Sequence, residues 1–547
     1  MSQIVRLHVI QSHASQRPEA GAETAAVFDR MLKGSVITIE GGDFSAWDKR
    51  TMRTAIIGGG IAGLAAAYEL EKARVAGAEV EYTLFEAQAR LGGVLSSEIV
   101  NGAVLEYGPD SFLSEKPAGA ELCRELGLGE QLTPSNDTER KTYVVVRNEL
   151  IPLPDGLMFL VPTKLIPTAT TRLFSLGTKI RMGLELLHPP RPSDKDESVA
   201  ALVERHFGPE AVDRLADPLL SGIFGGDATQ LSARTVLPKL VEMEEQYGSL
   251  TRGMLAAHKK MRARVAAAQK DGAASQAGAP SAGKPDARRR PRGIFTSLRG
   301  GMQQLVDAIE AKLEPSWVRR STPVEAVERT SDGWAVTAGG SRTVYDGVIF
   351  ASPAWTASAL LAQADRMLSE ELAGIPYSSS ITVNLLYDEE QLGDLPEGFG
   401  FLVPASEGRA MLACTFVHRK FLGRTPTGKV VLRAFLGGMK NESLMAESDE
   451  ALVAAVRREL TQILGEDVVP RDAKPEHTQV SRWRRAMAQY AVGHQERMAR
   501  IEERVAELPG LKLAGNAYDG IGIPDCIRLG RQAAQELVEE GARLKVV

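Results

Sequence analysis

Short apolar runs and helical stretches alternate along this chain. Ala55-Ile56-Ile57 is an apolar run of strand length, and Val80-Glu81-Tyr82-Thr83-Leu84-Phe85 is a second run with polar residues interposed. Between them Leu64-Ala65-Ala66-Ala67-Tyr68-Glu69-Leu70 reads as a helix of small residues. Further on, Ser96–Val100 and Val104–Glu106 flank Asn101-Gly102, a hairpin signal. A helix is predicted over 117–127 and a strand at Tyr143-Val144-Val145-Val146. Residues 157–188 are apolar with spaced cations, Lys164, Lys179 and Arg181, and predict helices. Strands recur at Val348–Ala351 and, densely, at Ile381–Tyr387, Gly398–Val403, Met411–Phe416 and Val430–Leu436. The chain closes with a strand at Leu511–Leu513 and a helix running through Ala534 and Leu537. The pattern is that of an α/β protein.

The joint between the first strand and its helix carries the chemistry. It reads Gly58-Gly59-Gly60-Ile61-Ala62-Gly63, and Glu86 ends the second strand. Gly58 permits a tight turn, Gly60 lets backbone approach a pyrophosphate, and Gly63 lets helix and strand pack closely. The helix start then offers N–H groups and a positive dipole end to phosphates. A carboxylate at Glu86 accepts both ribose hydroxyls and repels a 2′-phosphate. A dinucleotide is therefore expected.

Composition narrows the classes. At 547 residues two or three domains are expected. The hydrophobic share of 44% and charged share of 25% are those of a globular protein, and a net charge of -5 gives no reason to expect nucleic acid. Cys123, Cys414 and Cys526 are scattered and the eight histidines dispersed, so neither a metal site nor a disulfide framework is expected. No transmembrane run and no signal peptide are read. The expected place is the cytoplasm, with a peripheral position on the cytoplasmic membrane compatible with the basic, apolar helices of 157–188. Residues 1–51 are expected to be a poorly ordered extension. The low-complexity stretch 262–293, ending in Arg288-Arg289-Arg290-Pro291-Arg292, is expected to be a mobile loop.

After Glu86 comes Ala87-Gln88-Ala89-Arg90-Leu91-Gly92-Gly93. This run resembles the FAD-dependent amine oxidase, phytoene desaturase and porphyrinogen oxidase family. Asp217-Pro218-Leu219-Leu220-Ser221-Gly222-Ile223-Phe224-Gly225-Gly226-Asp227 is similar to a run of its porphyrinogen oxidase branch, as is Ala514-Gly515-Asn516 with Ile521-Gly522-Ile523. The resemblance covers about 53–540. It implies non-covalent FAD held by Gly58, Gly60, Ile61, Ala62, Gly63, Glu86, Ala87, Arg90, Gly92 and Gly93. It adds Gly108, Pro109, Asp110 and Ser111 along the flavin ring, Val324 at the adenine, Trp483 beside the flavin, and Gly515, Asn516, Ile521, Gly522 and Ile523 at a second helix start. For the substrate it implies Leu402 and Phe416 as walls, Leu385 on the same sheet, and Ser221-Gly222 as close-approach backbone. Lys141 stands near the place where some relatives carry an arginine proposed to meet a propionate. No catalytic side chain is named, because hydride passes to the flavin.

The fold implied is a Rossmann-like FAD-binding domain with a mixed-sheet substrate domain and an inserted helical domain. Its boundaries fall at 52–135, 294–355 and 481–547 for the first, 136–155 and 356–480 for the second, and 156–255 for the third. The reaction implied is oxidation of protoporphyrinogen IX with O2 as acceptor and H2O2 as product, in heme synthesis. The alternative is oxidation of coproporphyrinogen III, which carries propionates where the other has vinyls. Partners implied are the porphyrinogen, O2, the next enzyme of the pathway and a second copy of the chain. An amine oxidase would need an aromatic cage, which Ile521-Gly522-Ile523-Pro524 does not supply. A carotenoid desaturase leaves 217–227 unexplained, and a flavin-binding subunit without turnover is the non-enzymatic alternative.

Overall fold

The computed structural model describes residues 51–544 apart from 159, 192–194, 261–262 and 264–292. The expected extension 1–51, but for Thr51, and the expected loop 262–293, but for Ala263 and Gly293, lie outside the described residues.

The strands read first in the sequence form the middle of a five-stranded parallel sheet. Its order is Val318–Arg319, Val80–Phe85, Met52–Ile57, Gly347–Phe350 and Leu511–Leu513. Both faces are covered at the middle of the sheet, which is why Ala55–Ile57 and Gly347–Phe350 are wholly apolar. Ile56 and Ile349 face one core with the helix Ile61–Val75 and the C-terminal helix Ile523–Leu544. Ala55, Ile57, Val348 and Phe350 face the other, shared with Trp334 and Val336 of an antiparallel sheet, Val324–Thr330, Gly333–Ala338 and Ser341–Tyr345. The two helices touch where Gly530 lies against Ala62, since a Cβ at Gly530 would stand 2.1 Å from the Ala62 carbonyl oxygen.

A second, seven-stranded sheet has the order His477–Ala488, Tyr377–Asp388, Lys429–Gly437, Met411–Phe416, Gly400–Leu402, Thr142–Val146 and Glu149–Pro152. It is antiparallel except where Gly400–Leu402 runs parallel to Thr142–Val146. The boundary expected at 480/481 falls inside its edge strand, which continues to Ala488 and carries Trp483.

The two faces of this sheet do different work. Leu385, Leu432 and Phe416 are opposed across three strands. They lie in a core completed by Leu452, Val456 and Leu460 of the helix Asp449–Leu464. The other face is set by the row Leu402, Ala413, Phe435, Thr382 and by the row Gly400, Thr415, Arg433, Asn384. Thr382 and Asn384 donate to the carbonyls of Tyr107 and Glu106, so this face looks toward the 106–111 run. Leu385 and Phe416, expected in the substrate pocket, therefore sit on the opposite face; both are fully buried.

A layer of short helices, including Leu176–Leu184, Val199–Phe207, Asp217–Phe224 and Pro238–Tyr247, packs on the far end of the sheet through Val144. Ser175 and Ser198 cap two of them, accepting from Thr178 N and Ala201 N. Inside the layer His206 is fully buried between two carboxylates, Glu185 at 3.0 Å and Glu244 at 3.1 Å. Burial alone would lower the His206 pKa, but the two hydrogen bonds outweigh it and raise the value. Burial would raise Glu185 and Glu244, yet their partners hold both below the usual carboxylate range.

Candidate flavin and substrate site

The turn after the first strand is built as a phosphate cradle. Gly58 has φ of +111°, and a Cβ there would meet the Ala351 carbonyl at 2.8 Å. A Cβ at Gly63 would meet the Gly58 carbonyl at 1.9 Å, so that glycine serves helix packing. Gly60 differs: nothing lies within 4 Å of the position its Cβ would take. Open space over Gly60 is what a pyrophosphate needs. The helix Ile61–Val75 starts there with no side-chain cap and no acid in its first turn, so its N–H groups and dipole end stay available for phosphate.

Glu86 is buried at the end of the second strand, where it accepts the N–H of Gly59 and of Gln88, both at 2.7 Å. Its own carbonyl and that of Gln88 receive Thr322 N and Ser321 N, which brings Val324 into the same neighbourhood. Gly92 N donates to the Gly59 carbonyl at 2.8 Å, and a Cβ at Gly93 would stand 3.2 Å from Gly60 Cα. Arg90 braces this crossing by donating to the carbonyls of Leu91, Gly93 and Leu95. Its guanidinium also lies over the Trp483 ring, 5.9 Å from the centroid. The residues 58–63, 86–93 and 321–324, widely separated in part, thus converge on one groove.

The 106–111 run is locked from the sheet by charges that the sequence reading did not identify. Trp483 Nε1 donates to the Tyr107 carbonyl at 2.7 Å. Arg433 donates to the Gly108 carbonyl, Arg424 pairs with Glu106, and Lys420 holds both oxygens of Asp110. Burial alone would raise the Asp110 carboxyl, but Lys420 and Arg433 outweigh it and keep the group well below the usual carboxylate range. Burial lowers Arg433, opposed by Asp110 and Glu106. Gly108 itself serves chain packing, because a Cβ would stand 1.8 Å from the Val94 carbonyl oxygen. Ser111 donates to Asp110 at 2.6 Å.

The second helix start lies at Ile523. Gly515 has φ of +136° and open space over its Cα. Asn516 Nδ2 donates to the Ala486 carbonyl at 2.9 Å, tying this turn to the strand of Trp483. Gly522 N donates to Asp525, which Lys116 neutralises at 2.6 Å. Tyr490 accepts Gly520 N and donates to the Asn516 carbonyl. Open glycines at 60 and 515, uncapped N–H groups and a buried acid fit FAD, with Ile61, Ala62 and Ala87 in the backbone that would line it.

Beyond the flavin groove the sheet meets the helical layer. A Cβ at Gly222 would lie 3.4 Å from Leu402 Cδ2, so the helical layer and the sheet are in contact at these two residues. Ser221 is buried and donates to the Gly226 carbonyl. Between Asp217–Gly226 and the strand ends at 403–412 and 437–441 is a cavity of about 300 Å³. Phe435, half-buried in the row of Leu402 and stacked by Arg433 at 4.7 Å, is the aromatic residue on the face opposite Phe416. Lys141 is mostly exposed, pairs with Glu397 at 2.6 Å and does not line this cavity.

Comparison with known proteins agrees with this geometry. Residues 61–538 match the family described as flavin containing amine oxidoreductase. The coproporphyrinogen III oxidase of Bacillus subtilis strain 168 is 33% identical, over 88% of this chain and 97% of its own length. That of Staphylococcus aureus strain NCTC 8325 is 30% identical, over 90% and 100%. A crystal structure from Exiguobacterium sp. 255-15, provisionally named protoporphyrinogen oxidase, is 32% identical and superposes with a TM-score of 0.76 over 90% of this chain and 99% of that one. The chain belongs to the flavin containing amine oxidoreductase family, in its porphyrinogen oxidase branch, and is an FAD-dependent oxidoreductase.

Proposed function

We propose that this enzyme oxidises coproporphyrinogen III to coproporphyrin III in heme synthesis, with O2 as electron acceptor. Protoporphyrinogen IX, the expected first substrate, becomes the second choice, because relatives matching nearly end to end are named for coproporphyrinogen III. The structural observation that supports a large flat substrate is the inner sheet face, where the row of Leu402, Ala413 and Phe435 lies beside Arg433 and the locked 106–111 run.

Bound in its groove, FAD supplies a two-electron acceptor that O2 restores. Removal of six hydrogens from the porphyrinogen balances three O2 going to three H2O2. The chain's part is to hold and orient. Gly60 and the helix at Ile61 receive the pyrophosphate, Glu86 the ribose, and the 106–111 run is kept rigid by Arg433, Arg424 and Lys420. Leu402 and Phe435 present apolar wall to the macrocycle. No side chain is assigned as a base; pyrrole protons leave toward solvent.

A membrane contact is proposed with it. Leu176, Ile180 and Leu184 recur on one exposed helix face, followed by exposed Leu187 and preceded by exposed Ile166. Half-buried Lys179 and exposed Arg181 flank this stripe. It is suited to lie on an anionic bilayer surface. Among the described residues no helix is long and apolar enough to cross one.

The deciding experiment compares the two porphyrinogens under air, reading porphyrin fluorescence and H2O2. Faster turnover per unit concentration of coproporphyrinogen III is expected. Oxidation of neither would remove the proposal, and preference for protoporphyrinogen IX would reverse the order of substrates. Flotation with anionic vesicles tests the surface contact; a protein that stays with the soluble fraction removes it.

A further inference from the structure

Three cations and two carboxylates are packed against the 106–111 run, and their charges do not cancel. Arg424, fully buried, pairs with Glu106, which is buried as well. Lys420 holds both oxygens of Asp110, and Arg433 stands 3.5 Å from the same carboxylate. Arginine stays protonated, and Lys420 and Arg433 keep Asp110 ionised. The cluster therefore holds one unit of positive charge in excess. Inside a protein such a charge is costly until an anion offsets it.

The same side chains fix the direction of two peptides. The Tyr107 carbonyl accepts Trp483 and Thr382, the Gly108 carbonyl accepts Arg433, and the Asp110 carbonyl accepts Ser297 and Arg424. In a trans peptide the N–H points opposite to the carbonyl it follows, and no peptide here is cis. Gly108 N–H is thus aimed away from Trp483 and Thr382, and Ser111 N–H away from Ser297 and Arg424. Among the described residues neither N–H has a partner. For Gly108 the far side is that of the cofactor groove. Tyr107 N donates there to the Ser96 carbonyl, and a Cβ at Gly108 would meet the Val94 carbonyl at 1.8 Å. Val94 and Ser96 follow Gly93, which lies on Gly60.

A flavin that takes a hydride gains two electrons and one proton, so its ring ends one unit more negative. The hydride leaves a C–H bond of the substrate, the accompanying N–H proton goes to solvent, and O2 takes the electrons back as H2O2. We propose that Lys420, Arg424 and Arg433 stabilise the reduced, negatively charged flavin, through their surplus charge and through the Gly108 and Ser111 N–H groups that they orient. A cation behind a carbonyl polarises the whole peptide and makes its N–H a stronger donor. Charge beside the ring is one of the means by which a protein sets a flavin's potential. The three are positioning residues and touch no reacting atom. The inference rests on FAD lying in the groove with its ring at the 106–111 run.

The test is the midpoint potential of the bound flavin, measured against a reference dye in the FAD-loaded protein without substrate. Arg433→Met and Lys420→Met each remove a positive charge. Each is expected to shift the equilibrium roughly ten- to hundredfold toward oxidised FAD, a fall of about 30–60 mV for a two-electron couple. Asp110→Asn removes a negative charge and is expected to raise the potential by a similar factor. Arg433→Lys keeps the charge and is expected to stay near the unaltered protein. A loosened structure would move all variants the same way, so the opposed signs separate charge from packing. Unchanged potentials, or one sign throughout, overturn the inference. Should Arg433→Met not retain FAD, Lys420→Met and Asp110→Asn decide the sign by themselves. If the unaltered protein takes up no flavin, the FAD reading fails first. If it takes up FAD and the signs are not opposed, only the role of the cations fails.

Discussion

The carboxylate of Glu86 accepts the backbone N–H of Gly59 at 2.7 Å, so the acid that ends one strand is fastened to the turn that ends its neighbour. One side chain thereby shapes the phosphate turn and presents acceptors for a ribose. Glu86→Ala removes both functions. The expected loss is about 1.5–3 kcal/mol of FAD binding for each hydrogen bond to the charged group. Titration of the apoprotein followed by flavin fluorescence measures it; unaltered affinity in a folded variant would take Glu86 out of the site.

Gly60 and Gly63, three residues apart, behave oppositely under the same substitution. At Gly60 the backbone has φ of -70° and there is room for a methyl group, so Gly60→Ala is expected to fold with an unchanged melting temperature and to lose FAD affinity. At Gly63 the methyl group would meet the Gly58 carbonyl at 1.9 Å, and Gly63→Ala is expected to fold poorly whether or not FAD is supplied. Thermal melts with and without FAD separate the two outcomes. Full flavin content in Gly60→Ala would show that the open space is not used by the cofactor.

Phe416 and Phe435 divide the roles that an aromatic wall and an aromatic core would have. Phe416→Ala empties a fully buried site beside Phe401 and is expected to cost about 3–5 kcal/mol of stability with little effect on KM. Phe435→Ala is expected to raise KM several-fold while the protein keeps its fold, the stacking share being about 0.5–1.5 kcal/mol beyond burial. Urea melts and steady-state kinetics on the pair check this assignment. The reverse result would place the substrate on the other face of the sheet.

The pairing of His206 with Glu185 and Glu244 makes stability depend on pH from both sides. The His206 pKa is raised above its ordinary 6.5, so its contribution is complete below that value and fades as pH rises through the folded pKa. The two carboxyls are lowered, so theirs is complete above the ordinary 4.5 and fades as pH falls through their folded values. Unfolding free energy measured across this range is expected to fall at both ends. His206→Gln should flatten the alkaline limb and cost about 3–5 kcal/mol near neutrality, the penalty for leaving buried carboxylates without their cation. An alkaline limb unchanged in the variant would assign that slope to other groups.

The flavin half was legible because its signals are local. Gly58, Gly60, Gly63 and Glu86 lie within one strand–helix–strand unit, and the structure brings Gly92 and Val324 to it. The substrate half was legible only in part. Leu385, Leu402 and Phe416 were read as one group on the sheet, but Leu385 and Phe416 lie on the face opposite Leu402. The strand Tyr377–Asp388 is buried on both sides, so no polar alternation marks its orientation. A register shift between Met411 and Ala413 also puts Met411 on the same face as Cys414 and Phe416, against simple alternation. Arg433, Arg424 and Lys420 left no trace at all, because their partners at 106–110 stand more than three hundred residues earlier.

The parallel sheet takes its strands from 52–85, from 318–350 and from 511–513, and Gly530 must lie on Ala62 before the first helix is covered. During synthesis, then, the glycine turn emerges long before residues 511–544, which complete its sheet and cover its helix. Until the last strand and helix leave the ribosome, an apolar sheet edge and an apolar helix flank have no partner, a state prone to association with other chains. A cofactor that binds only the finished groove stabilises chains in which these last elements have docked over those in which they have not.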